Sequence, residues 1–142
     1  SDVDGMVIGG HSDTGMVPLI GRAVRNSILV SEFLSSDRMN QVVEDTKVGG
    51  ATLTKLLGTS AWYAPGAAVS EMVRAIAQDA QKMFPCSALL EGEYGLNDIS
   101  IGVPCIIGKN GIEKIVEIEL SDAEKEKLTE SAVGVRKVND LL

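Results

Sequence analysis

Apolar positions recur with two different periods along the 142 residues. Met6, Val7 and Ile8 form a short apolar run stopped by Gly9 and Gly10, the mark of a buried strand ending in a sharp turn. Leu19 to Leu34 mixes apolar positions with Arg22, Arg25 and Ser27, and fits a short strand or turn around Ile28 to Val30. From Asp37, a residue suited to a helix N-cap, Val42, Val43, Thr46, Leu53, Leu56 and Leu57 follow at helical spacing. Gly49 and Gly50 lie inside that pattern, where each costs about 1 kcal/mol relative to alanine. They mark either a close crossing of another backbone or a break in the helix. Gly58 to Pro65 interrupts the pattern, and Gly66 to Lys82 resumes it through Ala67, Val69, Met72, Val73, Ile76, Ala77 and Ala80.

After Pro85 the period changes. Cys86 to Leu90, Ile99 to Ile107 and Ile112 to Leu120 are rich in β-branched and aliphatic residues and are separated by glycine-bearing turns, which predicts three antiparallel strands. Lys109-Asn110-Gly111 predicts a tight hairpin, because asparagine and glycine both tolerate positive φ. Pro104 predicts that its strand is an edge or carries a bulge. Ser121-Asp122-Ala123-Glu124 reads as a capping box. Leu128, Ala132, Val135 and Val138 mark one face of a final helix whose other face is charged.

Composition narrows the setting. Apolar residues at 44% and charged residues at 23% fit a folded domain with a core of its own. With 13 Lys and Arg against 20 Asp and Glu, the net charge of −7 repels phosphate backbones and anionic lipid, so neither nucleic acid nor a membrane is an expected partner. Apolar runs stay far short of the ~20 residues that cross a bilayer. Cys86 and Cys105 are expected to stay reduced in a cytoplasmic chain. The first residue is Ser1, directly ahead of the short strand, and the chain is expected to be part of a longer protein.

The candidate chemistry lies at Val7 to Pro18, which holds the one histidine of the chain, His11. Glycines and small residues around it let the backbone turn and present the imidazole uncovered. Imidazole both takes and gives a proton near neutrality, and Asp13 is close enough in sequence to influence the loop. On residue types alone, His11 is a catalytic group, a surface residue or a satisfied core residue. One histidine and two separated cysteines supply no recognisable metal ligand set, no Gly-x-Ser-x-Gly elbow occurs, and no glycine-rich dinucleotide fingerprint follows a strand and opens a helix. Arg22 and Arg25 lie in no anion motif and read as solvated surface residues.

Gly10-His11-Ser12-Asp13-Thr14-Gly15-Met16-Val17-Pro18 resembles the catalytic-histidine segment of the lactate/malate dehydrogenase family, Gly-x-His-Gly-Asp-x-Met-Val-Pro. Ser12 stands at the family's glycine, and Gly15 is an added residue before Met16. Gly58-Thr59-Ser60-Ala61-Trp62-Tyr63-Ala64-Pro65 resembles the malate branch's Thr-Gly-Ser-Ala-Tyr-Tyr-Ala-Pro, shortened by its glycine, with Ala61 where the lactate branch has threonine. Gly102-Val103-Pro104-Cys105-Ile106-Ile107-Gly108-Lys109-Asn110-Gly111-Ile112 resembles a structural hairpin of the same family.

The resemblance implies an α+β fold, with long helices packed on antiparallel strands, and the periodicities agree with it. It implies that residues 1–142 are a C-terminal catalytic and substrate domain, with the N-terminal dinucleotide-binding domain outside this chain. The implied activity is interconversion of malate and oxaloacetate with NAD as hydride carrier, a step of the tricarboxylic acid cycle. His11 is then the general acid and base, Asp13 supports its loop, and Ser60, Ala61 and Pro65 line the substrate pocket. Cofactor-binding residues fall mainly in the absent half, so the chain alone is expected to be inactive. Lactate or another 2-hydroxy acid is the alternative substrate. A reading from another class is a non-catalytic assembly module, with helices 38 to 57 and 66 to 82 as a subunit interface; the family is commonly oligomeric, so the two readings are compatible.

Overall fold

The computed structural model describes residues 2–141. The fold is mixed, with helices on antiparallel sheets. A small sheet joins β1 (Val3–Asp4), β4 (Val24–Arg25) and β5 (Ile28–Leu29) in the order β1-β4-β5. The main sheet runs β3-β2-β7-β6, from β2 (Val7–Gly9), β3 (Met16–Pro18), β6 (Lys82–Glu91) and β7 (Asn97–Gly108), with β8 (Gly111–Ile115) also paired to β7. Among the described residues three α-helices complete the fold: α1 (Ser36–Leu57), α2 (Tyr63–Ala77) and α3 (Asp122–Asn139).

The core follows from the period of two in β6 and β7. Cys86, Ala88 and Leu90 alternate with exposed residues, and the antiparallel register sets them beside Ile99, Ile101, Val103 and Cys105 on the same face. Ile8 from β2 and Leu128 and Ala132 from α3 close that face. The strand that leads to His11 joins the sheet through glycine against glycine, Gly9 opposite Gly102. A Cβ on Gly102 would lie 2.6 Å from the Gly9 carbonyl oxygen, so no larger residue lets β2 approach this closely.

Several local expectations are corrected. The N-cap of α1 is Ser35, whose hydroxyl accepts from the Arg38 amide, and Asp37 sits inside the first turn. The helix runs unbroken through Gly49 and Gly50, and a Cβ on either would meet nothing within 4 Å. Neither a break nor a close crossing within the described residues accounts for them. Gly58 ends α1 at φ 69°. α2 starts earlier than Gly66, because Pro65 falls in its first turn, where a missing N–H is harmless. It also stops earlier, at Ala77, and left-handed Asp79 and Gln81 turn the chain so that Lys82 opens β6.

Pro104 lies between β6 and the β2–β8 side, opposite Pro85, so its strand is not an edge, but the strand does carry the other expected feature, a bulge-type register shift between Ile106 and Ile107. Its carbonyl accepts from the Val116 amide at 2.8 Å, so its polar edge faces away from β6 and the two facing prolines remove no bond from that ladder. In the hairpin after β7, positive φ falls on Gly111 alone; the turn with two left-handed residues is Asn26-Ser27, between β4 and β5. β8 ends at Ile115 and not at Leu120, since the Tyr94 hydroxyl takes over the backbone there, donating to Val116 O at 2.7 Å and accepting from Ile118 N at 3.1 Å. The capping box at Ser121 and Glu124 is formed in full. Val138 is 62% exposed, so the apolar face of α3 ends one turn sooner than the spacing predicts.

Candidate active site

Because Gly9 pairs with Met16, residues 10–15 form a short loop between β2 and β3. The loop is tied internally and externally. The Gly15 amide donates to Ser12 O at 3.0 Å and to Ser12 Oγ at 2.9 Å, and the Met16 amide donates to Ser12 O at 3.0 Å. Ser12 and Gly15, the two departures from the family segment, thus belong together: a Cβ on Gly15 would stand 2.7 Å from Ser12 Oγ. The serine hydroxyl occupies space that only a glycine leaves open.

Against α3 the loop is held by one side chain. Ser131 donates to Gly15 O at 2.7 Å and accepts from the Gly10 amide at 2.8 Å. Gly9 takes φ +93°, and a Cβ there would lie 2.4 Å from Gly15 O and 3.0 Å from Ser131 Oγ. Glycine is required at this strand end by both conformation and space.

His11 is exposed on this loop, between two hollows. One, of about 250 Å³, lies between the loop and α3, with Ser12, Glu130 and Val135 in its wall. The other, of about 570 Å³, opens over the sheet and is lined by Ser87, Ser100, Gly102 and Met16 as well as His11. An exposed imidazole with no side-chain hydrogen bond among the described residues is free to meet a ligand.

Asp13 is exposed on the same loop and makes no hydrogen bond to His11. Ser60 and Pro65 are exposed and Ala61 is half-buried, at the linker from α1 into α2. Neither hollow beside His11 includes them, so the described residues do not bring the two segments into one pocket. Trp62 and Tyr63 lie with ring centroids 6.1 Å apart and planes tilted by 42°, yet are 58% and 82% exposed, and so belong to no core here. Arg25 pairs with Asp2 at 3.8 Å with both side chains exposed, a contact worth little. Arg22 borders a different hollow, with Glu119 and Ser121.

Sequence reasoning missed Ser131, Ser87 and Ser100. The hydroxyls of Ser87 and Ser100 stand on the sheet face that the core leaves exposed, and strand alternation was the available signal. Cys86 and Cys105 are free and buried. Loss of hydration pushes both thiols up, Cys105 to about 11, so neither offers a thiolate nucleophile near neutrality.

A family model described as the lactate/malate dehydrogenase α/β C-terminal domain matches residues 1–140. The malate dehydrogenase of Flavobacterium johnsoniae is 60% identical over 142 residues, which are all of this chain and 46% of that protein. Among solved structures, malate dehydrogenase from Salinibacter ruber aligns with a TM-score of 0.94 at 44% identity, over 99% of this chain and 46% of that one. Lactate dehydrogenase from Eimeria maxima, solved with NADH and oxamate, aligns at 0.93 and 38% identity, over 99% of this chain and 45% of that one. The chain thus spans less than half the length of these relatives.

Proposed function

Because this chain belongs to the lactate/malate dehydrogenase C-terminal domain family, we propose that it is the substrate-binding and proton-transfer half of a malate dehydrogenase. The observation that carries this reading is His11: the segment matching the family's catalytic histidine is folded into a tied loop that leaves the imidazole uncovered beside two hollows. Neutral His11 accepts the proton of the malate 2-hydroxyl, and protonated His11 returns it to the carbonyl oxygen of oxaloacetate. Asp13 contributes negative charge to the exposed part of the loop. Ser60, Ala61 and Pro65 close one side of the substrate pocket in the full-length enzyme, where the α1–α2 linker meets the remainder of the protein.

NAD is the proposed cofactor, in line with the NADH held by the Eimeria relative. The residues here do not fit a dinucleotide. The strand pairings are antiparallel, and among the described residues no strand, glycine-rich loop and helix follow each other as a phosphate cradle requires. The hydride step is therefore assigned to no residue of this chain, and the nucleotide to the N-terminal domain. Malate is preferred to lactate on the names of the relatives, the malate dehydrogenases of Flavobacterium and Salinibacter. Two buried free thiols suit a cytoplasmic setting.

The assembly reading is favoured by one observation, that α1 buries none of its 22 residues. We take the α1 and α2 faces as contacts to the N-terminal domain and a second subunit, alongside the catalytic role. The test is oxidation of NADH by the full-length enzyme and by the 142-residue chain, with oxaloacetate and with pyruvate. A rate with oxaloacetate at least about tenfold above pyruvate, seen only at full length, supports the proposal, tenfold being about 1.4 kcal/mol of discrimination. A rate from the 142-residue chain alone, or a preference for pyruvate, contradicts it.

A further inference from the structure

Helix α3 carries two hydroxyl side chains, and they are used differently. Thr129 donates to Lys125 O at 2.9 Å, four residues back, the ordinary resting place of a helix hydroxyl. Ser131 leaves its own helix alone and spends both its donor and an acceptor on the His11 loop. It donates to Gly15 O at one end and accepts from Gly10 N at the other, immediately before His11. At 4% exposure it is the one buried polar residue of the described chain.

The approach is built from both sides. A Cβ on Gly10 would lie 3.4 Å from Ser131 Oγ, and one on Gly9 3.0 Å from it, so the glycines bring the loop down onto the hydroxyl. The platform beneath is fixed, because Leu128 and Ala132 are in the core and Arg136 donates to the carbonyls of Asn97 and Asp98 at the start of β7. We propose that Ser131 is a positioning residue, whose hydroxyl joins the two ends of the loop and so sets where the His11 imidazole stands against the substrate. This rests on the reading of His11 as the proton-transfer group. Removing the hydroxyl leaves the Gly10 amide and the Gly15 carbonyl without their partner, and a displacement of about 1 Å at a reacting group is enough to cost roughly 100-fold in rate.

The experiment uses the full-length enzyme with Ser131→Ala, Ser131→Thr and His11→Ala. For Ser131→Ala the expected result is a fall in kcat of about 10- to 100-fold per folded molecule, a KM for oxaloacetate changed by less than about threefold, and recovery of most of the rate in Ser131→Thr. Amide hydrogen exchange at Gly10 should quicken by about tenfold, equivalent to one hydrogen bond of ~1.4 kcal/mol. A purely structural serine would lower the melting temperature without moving kcat of the folded enzyme. A Ser131→Ala enzyme with kcat within about twofold of the parent and unchanged Gly10 exchange overturns the proposal, as does a threonine variant no better than alanine. Should the alanine variant not fold, Ser131→Cys takes its place with the same two readouts. Full activity in His11→Ala would remove the proton-transfer reading instead, and Gly10 exchange would still report whether Ser131 holds the loop.

Discussion

Helices α1 and α3 are built on the same amphipathic code and end in opposite situations. α3 has 18 residues, packs on β2, β3 and β7, and buries Leu128, Ser131 and Ala132. α1 has 22 residues and buries none. Val48 at 47%, Leu57 at 52% and Leu56 at 79% exposure stay open along it, and Trp62, Tyr63, Val69 and Val73 do the same along and just before α2. A helix draws most of its stability from packing of its apolar face. One region of the chain therefore supplies its own core and holds the His11 loop, while the other carries faces suited to surfaces outside these residues. The division is the one expected if the His11 loop carries the proposed proton transfer and the exposed helical faces meet the remainder of the protein.

Deleting side chains should affect the two regions very differently. Ile101→Ala in the sheet, where the isoleucine is 1% exposed, should destabilise the 142-residue chain by about 2–5 kcal/mol in urea unfolding. Leu56→Ala should cost less than about 0.5 kcal/mol in the same chain and over about 2 kcal/mol in the full-length enzyme. Equal effects of the two substitutions in the 142-residue chain would mean that α1 is packed after all.

A smaller effect is expected at the glycine pair of α1. Gly49→Ala should stabilise the 142-residue chain by about 0.5–1 kcal/mol, since the helix gains a better former and the added methyl meets nothing within 4 Å. If the glycine pair serves a close crossing with another domain or subunit, the same substitution will destabilise the full-length enzyme. A stabilising effect in both would leave the glycines without an interface role.

The legible parts of the molecule were those written in local residue order. The strand and turn leading to His11 rest on an apolar run followed by adjacent glycines. The capping box of α3 is a four-residue signal and formed as expected. Where neighbouring residues compete for one role, order was insufficient: Ser35, Ser36 and Asp37 can all cap a helix, and only the register chooses Ser35. The C-terminal limit of β8 was hidden because Tyr94, more than twenty residues away, replaces ladder bonds with its hydroxyl. Ser131 was hidden for the same physical reason. A small polar residue on a helix carries no sign of which loop it will meet, and its partners lie 116 and 121 residues away.

In the proposed reaction His11 moves the proton. The most direct measurement is turnover of oxaloacetate and NADH by the full-length enzyme carrying His11→Ala, with folding checked by circular dichroism. The expected result is a loss of about 10²- to 10⁴-fold in kcat with the fold intact, the usual contribution of a general acid and base. A folded variant that keeps kcat within about threefold of the parent would show that another group carries the proton.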